Sequence, residues 1–373
     1  MVTKVRNTKN ILSNFKIYGD FIDAKPFGSG HINDTLLVRY KQAGQKVKYI
    51  LRKINSYVFK EPKLIVENTL NVTNHIRNRL TQISEPDLSR KVLTLIQNKN
   101  GSYFHLDEKG DYWNVIFFIK GAYTVDIVIN IEQAFEAASA YGKFQKYLSD
   151  FDTDKCQITI KNFHNLENRI KTFEESLKHN PKNRIEVIPE LISLAKKYYY
   201  INDEFLKLES KKLPTRITHN DTKINNVMLH KKTNKGLCVV DLDTVMPGII
   251  LNDFGDMVRT FTSPALEDVN DFSKVKMRLP IFDALVKGYL TELNDYLTDN
   301  EINNLVLGAK IIVFEQAIRF LTDFILGDVY YKVEYDLHNL NRAKNQFALL
   351  ASIEEQADEM EKIVKKYSNK NKI

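Results

Sequence analysis

The chain has 373 residues, of which 43% are hydrophobic and 27% charged, as is usual for a folded globular protein. No apolar run reaches the roughly 18 residues needed to span a bilayer, and the first residues lack the apolar core of a signal peptide. The two cysteines, Cys156 and Cys238, are too few for a disulfide framework and lack metal-site spacing. We therefore expect a cytoplasmic protein, and the length suggests two domains or two lobes of one fold.

The formal net charge is +7. Lysines are scattered along the chain and are densest from Lys362 to Lys372, which favours a solvated tail over a nucleic-acid surface. A positive field favours anionic small substrates such as nucleotides. We expect no nucleic-acid or membrane partner, and a monomer, because no exposed apolar helix stands out.

The first 120 residues are predicted to form a small sheet crossed by one helix. The helix covers Pro62–Gln82, where apolar residues recur on one face. Alternating or apolar runs indicate five strands, at Phe21–Pro26, Thr35–Tyr40, Val47–Ile54, Val92–Ile96 and Trp113–Ile119. A hinge is expected near Phe118–Tyr123.

Residues 121–373 are predicted to be mainly helical. The helices are expected at Ile129–Leu148, Leu166–Leu177, Val187–Leu208, Lys274–Tyr296, Glu301–Leu326 and Asn339–Lys366. One hairpin interrupts them, in which VMLH and LCVVD flank the polar turn KKTNKG. The prediction is an α+β fold with a small β-rich lobe (1–120) and a large helical lobe (121–373).

Polar residues with a spacing suited to phosphoryl transfer stand at both ends of this hairpin. HNDTKINN places Asp221, Lys223 and Asn226 before it, and Asp241 follows it at the end of an apolar strand. Phosphoryl transfer needs a carboxylate to orient the attacking hydroxyl, magnesium ligands, and cations on the phosphates. We assign Asp221 as the candidate base, Lys223 as the cation on the transferring phosphoryl group, and Asn226 and Asp241 as metal ligands.

The pattern H-x-D-x-K-x-x-N followed by a strand-end aspartate resembles the catalytic core of eukaryotic-type protein kinases and of the aminoglycoside phosphotransferase and choline kinase group. His219, Asp221 and Asp241 lie on matching positions, as do Lys223 and Asn226. The resemblance implies a protein-kinase-like two-lobe fold. Protein kinases carry glycine two residues after the metal aspartate, whereas this chain has Asp243, as choline kinases have an acid. Asp243 either joins the metal ligands or holds them in place.

The stretch FGSGHINDT lies between two predicted strands. Gly28, Ser29 and Gly30 in it would let backbone N–H groups approach nucleotide phosphates closely. The loop is shorter than the protein-kinase glycine loop. It is not a P-loop either, since GxxxxGK[ST] occurs nowhere in the chain.

The third strand, KYILRKIN, should supply a cation for the nucleotide phosphates. Arg52 and Lys53 lie on opposite faces of a strand, so only one of them can point inward. We favour Lys53, because it directly precedes Ile54 as the inward cation does in related small-molecule kinases. Glu67 on the following helix is its expected carboxylate partner.

Taken over residues 20–360, FGSGHINDT, HNDTKINN, VVDLDTVMPG, RFLTDFILGD and HNLNRAKNQ resemble the N-acetylhexosamine 1-kinases, bacterial members of the aminoglycoside phosphotransferase superfamily. The resemblance implies ATP and Mg²⁺, and transfer to the anomeric hydroxyl of N-acetylglucosamine or N-acetylgalactosamine. It implies that Asp221 is the base, that Asn226 and Asp241 hold magnesium, and that Arg319 contacts the sugar. His31 would face the sugar or the γ-phosphate.

Two alternatives remain open from the sequence. One is a kinase for another small acceptor, such as choline, homoserine, methylthioribose or an aminoglycoside. A pocket for choline or an aminoglycoside should be strongly acidic. The stretch RFLTDFILGD supplies some acids, but Arg319 and Arg342 lie alongside them, which suits a neutral sugar better. The other is a non-catalytic nucleotide-binding regulator, against which both Asp221 and Asp241 are present.

Overall fold

The computed structural model describes residues 8–28, 33–209 and 213–368. It forms two compact units: the first comprises residues 1–122, 150–161 and 237–246, and the second comprises residues 123–149, 162–236 and 247–373. Two later segments thus join the N-terminal residues in the first unit, whereas the predicted boundary at residue 120 was a single cut. No helix in the described residues is long and apolar enough to cross a membrane.

The first unit is built on a five-stranded antiparallel sheet of order β1-β2-β3-β5-β4. The strands are β1 (Asp20–Pro26), β2 (Asp34–Gln42), β3 (Gln45–Ile54), β4 (His105–Leu106) and β5 (Tyr112–Phe117). In the register between β2 and β3, Thr35 lies opposite Arg52 and Asp34 opposite Lys53. The central strand β3 therefore has both of the candidate cations near its end.

Each face of this sheet has its own apolar core. One face packs Leu51 and Val115 with Phe15, which precedes the strands. The other packs Ile54 against Ile65 and Val66 of helix α1 (Pro62–Gln82). A short helix α2 (Leu88–Lys91) follows. Because alternate residues of β3 serve different cores, the faces of Arg52 and Lys53 are set by the burial of their neighbours.

The second unit is mainly helical, with the strand β7 (Arg216–Thr218) inside it. Its helices are α3 (Ile131–Tyr147), α4 (Leu166–His179), α5 (Pro189–Lys197), α6 (Tyr200–Glu209), α7 (Ile250–Thr262), α8 (Leu279–Leu293), α9 (Asp299–Ile302), α10 (Leu305–Leu326), α11 (His338–Glu355) and α12 (Ala357–Tyr367). The remaining short strands are β6 (Ala122–Tyr123), β8 (Val227–His230), β9 (Gly236–Val239) and β10 (Met246–Gly248).

Helices α7 and α10 approach each other closely because both carry glycine at the contact. A Cβ added to Gly255 would lie 2.2 Å from the Gly308 carbonyl oxygen, and one added to Gly308 would lie 2.6 Å from the Leu251 carbonyl oxygen. No real Cβ tolerates such distances, so larger residues would force the helices apart. This contact brings α7 and α10 together beneath the loop at residues 219–226.

The predicted α+β class with a β-rich N-terminal part and a helical C-terminal part is confirmed. The strand expected at Val92–Ile96 is wrong, since that segment makes only an isolated bridge from Leu95 to Ile116. The helix expected at Val187–Leu208 is broken into α5 and α6. Helix α7 was not predicted, although its polar residues Asn252, Asp256 and Arg259 recur at the spacing of one helix face; all but one of its residues are buried.

Candidate active site

The stretch HNDTKINN begins directly after β7 and is held in the interior of the second unit. The His219 side chain is fully buried, with its ring 5.6 Å from the Tyr141 ring and 6.0 Å from the Phe144 ring, edge to face. Its Nδ1 accepts the Asp221 backbone N–H at 3.3 Å. His219 therefore packs and orients the loop instead of facing a substrate.

Asp253 of α7 fixes the backbone of this loop. Its carboxylate accepts the N–H of His219 at 2.9 Å and that of Asn220 at 2.7 Å, and its carbonyl oxygen accepts the Thr222 hydroxyl at 2.6 Å. The Gln145 amide donates to the same carboxylate at 2.8 Å. Burial raises the pKa of Asp253, against these donors. The sequence analysis missed this residue, because nothing before the fold connects it to a loop more than thirty positions earlier.

Asp221 and its neighbours form a compact polar group. Lys223 Nζ lies 2.8 Å from Asp221 Oδ1, and the Asn226 amide donates to Asp221 Oδ2 at 3.1 Å and to the Asp221 carbonyl at 2.9 Å. Tyr141 donates its hydroxyl to the Lys223 carbonyl at 2.8 Å. The Asp221 side chain is 23% exposed and that of Lys223 41% exposed, so both can meet a ligand.

The protonation states of Asp221 and Lys223 depend on each other. Burial works against the ionised form of Asp221, but the adjacent Lys223 ammonium lowers the pKa of Asp221 below its ordinary value. The Asp221 carboxylate in turn raises the pKa of Lys223. At neutral pH the pair is therefore a carboxylate and an ammonium, which is the state that a base beside a phosphate-binding cation requires.

A second group of charges lies within the first unit. Arg52 of β3 forms an ion pair with Asp243, and its Nη2 lies 3.9 Å from Asp241 Oδ1. Asn33 donates its amide to Asp243 Oδ2 at 2.6 Å and accepts the Asn55 backbone N–H at 2.9 Å. The Asp243 side chain is 7% exposed, whereas that of Asp241 is 47% exposed.

The cation that faces Asp241 and Asp243 is Arg52, and not Lys53 as the sequence analysis expected. Lys53 lies on the other face of β3, where its Nζ is 2.6 Å from Asp111 Oδ2. The alternation between Arg52 and Lys53 was predicted, but the choice of face depended on which neighbours the two cores bury.

Glu67 does not pair with Lys53 or Arg52. It is 47% exposed at its side chain and faces Lys63, 3.5 Å away, one turn earlier on α1. The buried polar residue of this turn is Asn68, whose amide donates to the Val245 carbonyl at 2.9 Å and whose oxygen accepts the Gln157 N–H at 2.9 Å. Asn68 therefore ties α1 to the segment after Asp243.

The glycine loop is described only at its start. Gly28 has a φ of +83°, a left-handed conformation that favours glycine, and a Cβ added there would meet open space. Ser29, Gly30 and His31 lie outside the described residues. Asn33, directly after this stretch, was missed from the sequence, although an asparagine next to a glycine loop is a usable signal.

Arg319 of α10 lies between two aromatic rings. Its guanidinium carbon is 5.9 Å from the centre of the Phe163 ring and 5.6 Å from that of Tyr331, and its Nη1 donates to Gln316 at 3.0 Å. Tyr331 also packs on Phe320 with ring centres 4.7 Å apart. A cation with aromatic surfaces on both sides is suited to binding a polar ring.

The acids near Arg319 in the sequence are already engaged. Glu315 bonds His164 at 3.1 Å, and Asp323 accepts the N–H groups of Val329, Tyr330 and Tyr331 at 2.8–2.9 Å. Glu315 thus does not clamp Arg319, and Asp323 anchors a loop. Trp113 of β5 packs in the sheet core and donates its indole N–H to Asp107 at 2.9 Å, so this side chain is engaged within the first unit.

The metal-binding candidates differ in how well they fit Mg²⁺. Asn226 uses its amide nitrogen on Asp221, which leaves the amide oxygen as its metal-binding atom, and Asp241 has an accessible carboxylate. Asp243 is occupied by Arg52 and Asn33, so it fits the holding role better than a ligand role. Across residues 8–28, 33–209 and 213–368, no three His, Cys, Asp or Glu side chains converge on one point. Mg²⁺ usually binds one or two carboxylates plus substrate phosphates, and the Asp241 carboxylate and the Asn226 amide oxygen are each, taken singly, groups of the kind it binds.

Solved structures of small-molecule kinases share this fold. An aminoglycoside phosphotransferase from Alicyclobacillus acidocaldarius is 11% identical, with a TM-score of 0.57 over 94% of this chain and 96% of the other. Spectinomycin phosphotransferase APH(9)-Ia, in complex with ADP and spectinomycin, is 12% identical, with 0.56 over 95% and 98%. Choline kinase from Cryptosporidium parvum is 15% identical, with 0.55 over 95% and 96%. At these identities the likeness concerns the fold.

The family is established by a different comparison. Residues 23–272, about two thirds of the chain, match the model of the APH phosphotransferase enzyme family. The match covers the glycine loop, both β3 cations, the loop with Asp221 and the acids at Asp241 and Asp243. The chain therefore belongs to the phosphotransferase enzyme family.

Proposed function

We propose that this protein is an ATP- and Mg²⁺-dependent kinase that phosphorylates the anomeric hydroxyl of an N-acetylhexosamine, giving the sugar 1-phosphate. Membership of the phosphotransferase family supports the reaction class, and the ADP complex of the related spectinomycin phosphotransferase supports ATP as the donor. The acceptor rests on the motif resemblance and on the surroundings of Arg319. We further propose a monomeric, cytoplasmic enzyme.

In the proposed reaction Asp221 is the base. Its carboxylate takes the proton of the acceptor hydroxyl while the acceptor oxygen bonds the γ-phosphorus and the bond from that phosphorus to the β-γ bridging oxygen breaks, releasing ADP. Lys223, held 2.8 Å from Asp221, neutralises charge on the transferring group. An anomeric hydroxyl is more acidic than an ordinary alcohol, which suits a carboxylate whose pKa lies below its usual value.

The nucleotide contacts are proposed residue by residue. Gly28, Ser29 and Gly30 would approach the phosphates through their backbone. Arg52 takes the role first given to Lys53, and Asp243 would keep Arg52 in place.

Metal and acceptor contacts are proposed for three further residues. Asn226 would bind magnesium through its amide oxygen and Asp241 through its carboxylate; bound there, the metal would neutralise phosphate charge. His31 would face the sugar or the γ-phosphate.

A neutral acceptor is favoured by the one observation that carries the proposal: among the described residues Arg319 forms no ion pair and lies near two aromatic rings, while acids of the same unit pair with other cations. Glu267 is 2.7 Å from Arg259, Asp328 is 2.6 Å from Arg184, and Asp268 is 2.7 Å from Arg342. A pocket for choline or an aminoglycoside needs free carboxylates. A sugar ring instead needs planar donors and an aromatic platform.

The test is a panel of acceptors offered to the purified protein with ATP and Mg²⁺. The panel contains N-acetylglucosamine, N-acetylgalactosamine, glucose, choline, homoserine, methylthioribose, spectinomycin and kanamycin, scored by ADP release. Phosphorus NMR then identifies the phosphorylated position. We expect turnover with the N-acetylhexosamines and a product that is the 1-phosphate. Preference for choline or an aminoglycoside would replace the sugar proposal with a cationic-acceptor kinase, and a 6-phosphate product would contradict the anomeric assignment.

Replacing Arg319 tests the acceptor site by itself. Arg319→Ala should raise the sugar KM by about 10- to 100-fold, the size of a lost charge-assisted contact, while the ATP KM changes less than about twofold. Arg342→Ala is the matched control, since Arg342 is committed to Asp268. An increase confined to the ATP KM would remove Arg319 from the sugar site.

A further inference from the structure

His164 of the second unit connects the loop of the proposed base to helix α10. It lies two residues before α4, and its side chain is 8% exposed. Its Nε2 is 2.9 Å from the Asn220 carbonyl oxygen, and its Nδ1 is 3.1 Å from Glu315 Oε2. That carbonyl belongs to the peptide bond that leads into Asp221, so one imidazole contacts both the peptide plane before the base and a buried carboxylate.

The two contacts require a charged imidazole. A carbonyl oxygen and an ionised carboxylate can only accept, so both ring nitrogens of His164 must donate, which is the imidazolium form. Burial works against this charge, but Glu315 raises the pKa of His164 above its ordinary value. Burial also works against the charge on Glu315, yet His164 lowers the pKa of Glu315 to about 2.

Two carboxylates and a carbonyl oxygen around His164 favour its imidazolium form. Glu315 faces it from α10, the Asn220 carbonyl faces it from the loop, and Asp256 of α7 adds a further negative charge. The Phe163 ring lies beside it, with centres 4.3 Å apart. Two cations share the Glu315 carboxylate with His164: Arg169 Nε is 3.4 Å from Oε1, and Arg319 also lowers the pKa of Glu315.

Both residues joined by this hydrogen bond have a left-handed backbone conformation. His164 has a φ of +52° and Asn220 a φ of +63°, values that few residues other than glycine adopt, although asparagine and histidine do so more often than most. Residues held in such conformations cluster at functional sites, where the surrounding contacts determine them. Asp253 holds the N–H groups of this loop from one side, and His164 holds the Asn220 carbonyl from the other.

We propose that His164 is a positioning residue for phosphoryl transfer, holding the Asn220–Asp221 peptide so that the Asp221 carboxylate points at the acceptor hydroxyl, with Glu315 joining this clamp to the helix that carries Arg319. The inference rests on the proposed role of Asp221 as the base. A displacement of about 1 Å at a reacting group costs on the order of a hundredfold in rate. Because Arg319 follows Glu315 by one helical turn, the clamp relates the acceptor contact to the base.

Two substitutions separate the two contacts. A glutamine at this position places its amide nitrogen near that of Nε2 and can still donate to the Asn220 carbonyl. An asparagine places its nitrogen near that of Nδ1 and can donate only to Glu315. We expect His164→Asn to lower kcat by about 10- to 100-fold with both KM values within about twofold, and His164→Gln to stay within about threefold of wild type.

Backbone strain predicts the opposite order, since asparagine tolerates a positive φ better than glutamine. A kcat that is lower for His164→Gln than for His164→Asn, or equal for both, would overturn the proposal. A purely packing role is also distinguished, because it would lower the free energy of unfolding of both variants without separating their kcat values.

The pH dependence gives a second readout. Since the pKa of His164 is raised in the folded protein, the clamp is complete below the ordinary histidine value and is lost as pH rises through the raised one. We expect wild-type kcat to fall across that window. His164→Gln, whose donor does not titrate, should lack this fall, and Glu315→Gln should move it to lower pH. A fall of the same shape in His164→Gln would assign it to another group.

Two measurements without an acceptor keep this test apart from that of the proposed function. Nitrogen-15 spectra of histidine-labelled protein should show both ring nitrogens of His164 protonated at neutral pH, with the His164→Gln spectrum assigning the signal. Hydrogen–deuterium exchange of residues 219–223 should be faster in His164→Asn than in His164→Gln. If no acceptor is turned over, the proposed function fails while these two results still decide the clamp; a neutral His164 would refute it.

Discussion

The loop that carries Asp221 and the segment that carries Asp241 and Asp243 are held by different forces. The loop is fixed through its backbone, where Asp253 accepts two N–H groups at 2.7 and 2.9 Å and His164 contacts a carbonyl at 2.9 Å. The acid segment is held through side chains, with Asp243 paired to Arg52 and Asn33.

The difference explains which of the predicted groupings of residues the fold reproduces. A loop fixed through its backbone keeps the spacing of its side chains, so the order of His219, Asp221, Lys223 and Asn226 is informative in the sequence itself. When a segment is held by a side chain from a distant strand, its partner is decided by the face of that strand on which the side chain lies. That face was decided by burial, and there the prediction chose Lys53 over Arg52.

Asp221→Asn should produce the largest effect. An amide cannot take the acceptor proton, so kcat should fall by about 10²–10⁴-fold, the contribution of a positioned acid–base group, while ATP affinity changes little. The measurement is steady-state ADP release together with calorimetric titration of nucleotide. Asp203→Asn, an exposed carboxylate on α6, is the matched control. Near-normal turnover in Asp221→Asn would show that another group orients the acceptor.

Arg52→Met and Lys53→Met form the second comparison. Removing Arg52 leaves the buried Asp243 carboxylate without its cation, which should lower the free energy of unfolding by about 3–5 kcal/mol. Removing Lys53 breaks a partly exposed pair and should cost no more than about 1 kcal/mol. Urea unfolding measures both, and the ATP KM should rise in Arg52→Met.

Larger losses in Lys53→Met than in Arg52→Met would reverse this assignment and restore Lys53 as the inward cation. Arg52→Lys sharpens the comparison, because it keeps the charge but loses the planar donor geometry that Asp243 and Asp241 share.

The smallest effect is expected at Glu67, tested beside its neighbour. Glu67→Ala should change the free energy of unfolding by less than about 0.5 kcal/mol and leave the ATP KM unaltered, as for an exposed helical side chain. Asn68→Ala should cost about 1–3 kcal/mol, because buried partners at Val245 and Gln157 lose their hydrogen bonds. A raised ATP KM in Glu67→Ala would return this residue to the nucleotide site.

The elements with clear periodicity were well predicted from the sequence. Helix α1 begins at Pro62 and ends at Gln82 as expected, since proline favours the first turn and its apolar residues keep one face. Helix α7 was missed although Asn252, Asp256 and Arg259 recur at helical spacing; Gly255 lowers its helix propensity, and the burial of its polar face is visible only in the fold. The strand at Val92–Ile96 was overpredicted because a short apolar run can be buried without joining a sheet.

In the candidate site, groupings within one short stretch could be predicted from the sequence, whereas contacts between residues far apart in the chain could not. Asp221, Lys223 and Asn226 do lie together in the second unit, as their spacing indicated. Asp253 and His164 were not assigned to the loop, since each acts on it across more than thirty residues. Glu315 and Asp323 share α10 with Arg319, and in the fold they serve His164 and a backbone loop.

By itself the sequence indicated the reaction class, because HNDTKINN and VVDLDT hold an acid, a cation and oxygen-bearing side chains in the order and spacing of a phosphotransferase motif. Only the tertiary structure decided which side chains support that chemistry. Burial selected Arg52 over Lys53 and left Glu67 in solvent, and the packing of α7 and α10 brought Asp253 to the loop and Glu315 to His164. The reason is physical: spacing along the chain is a covalent property, whereas the face that a side chain takes depends on everything packed around it.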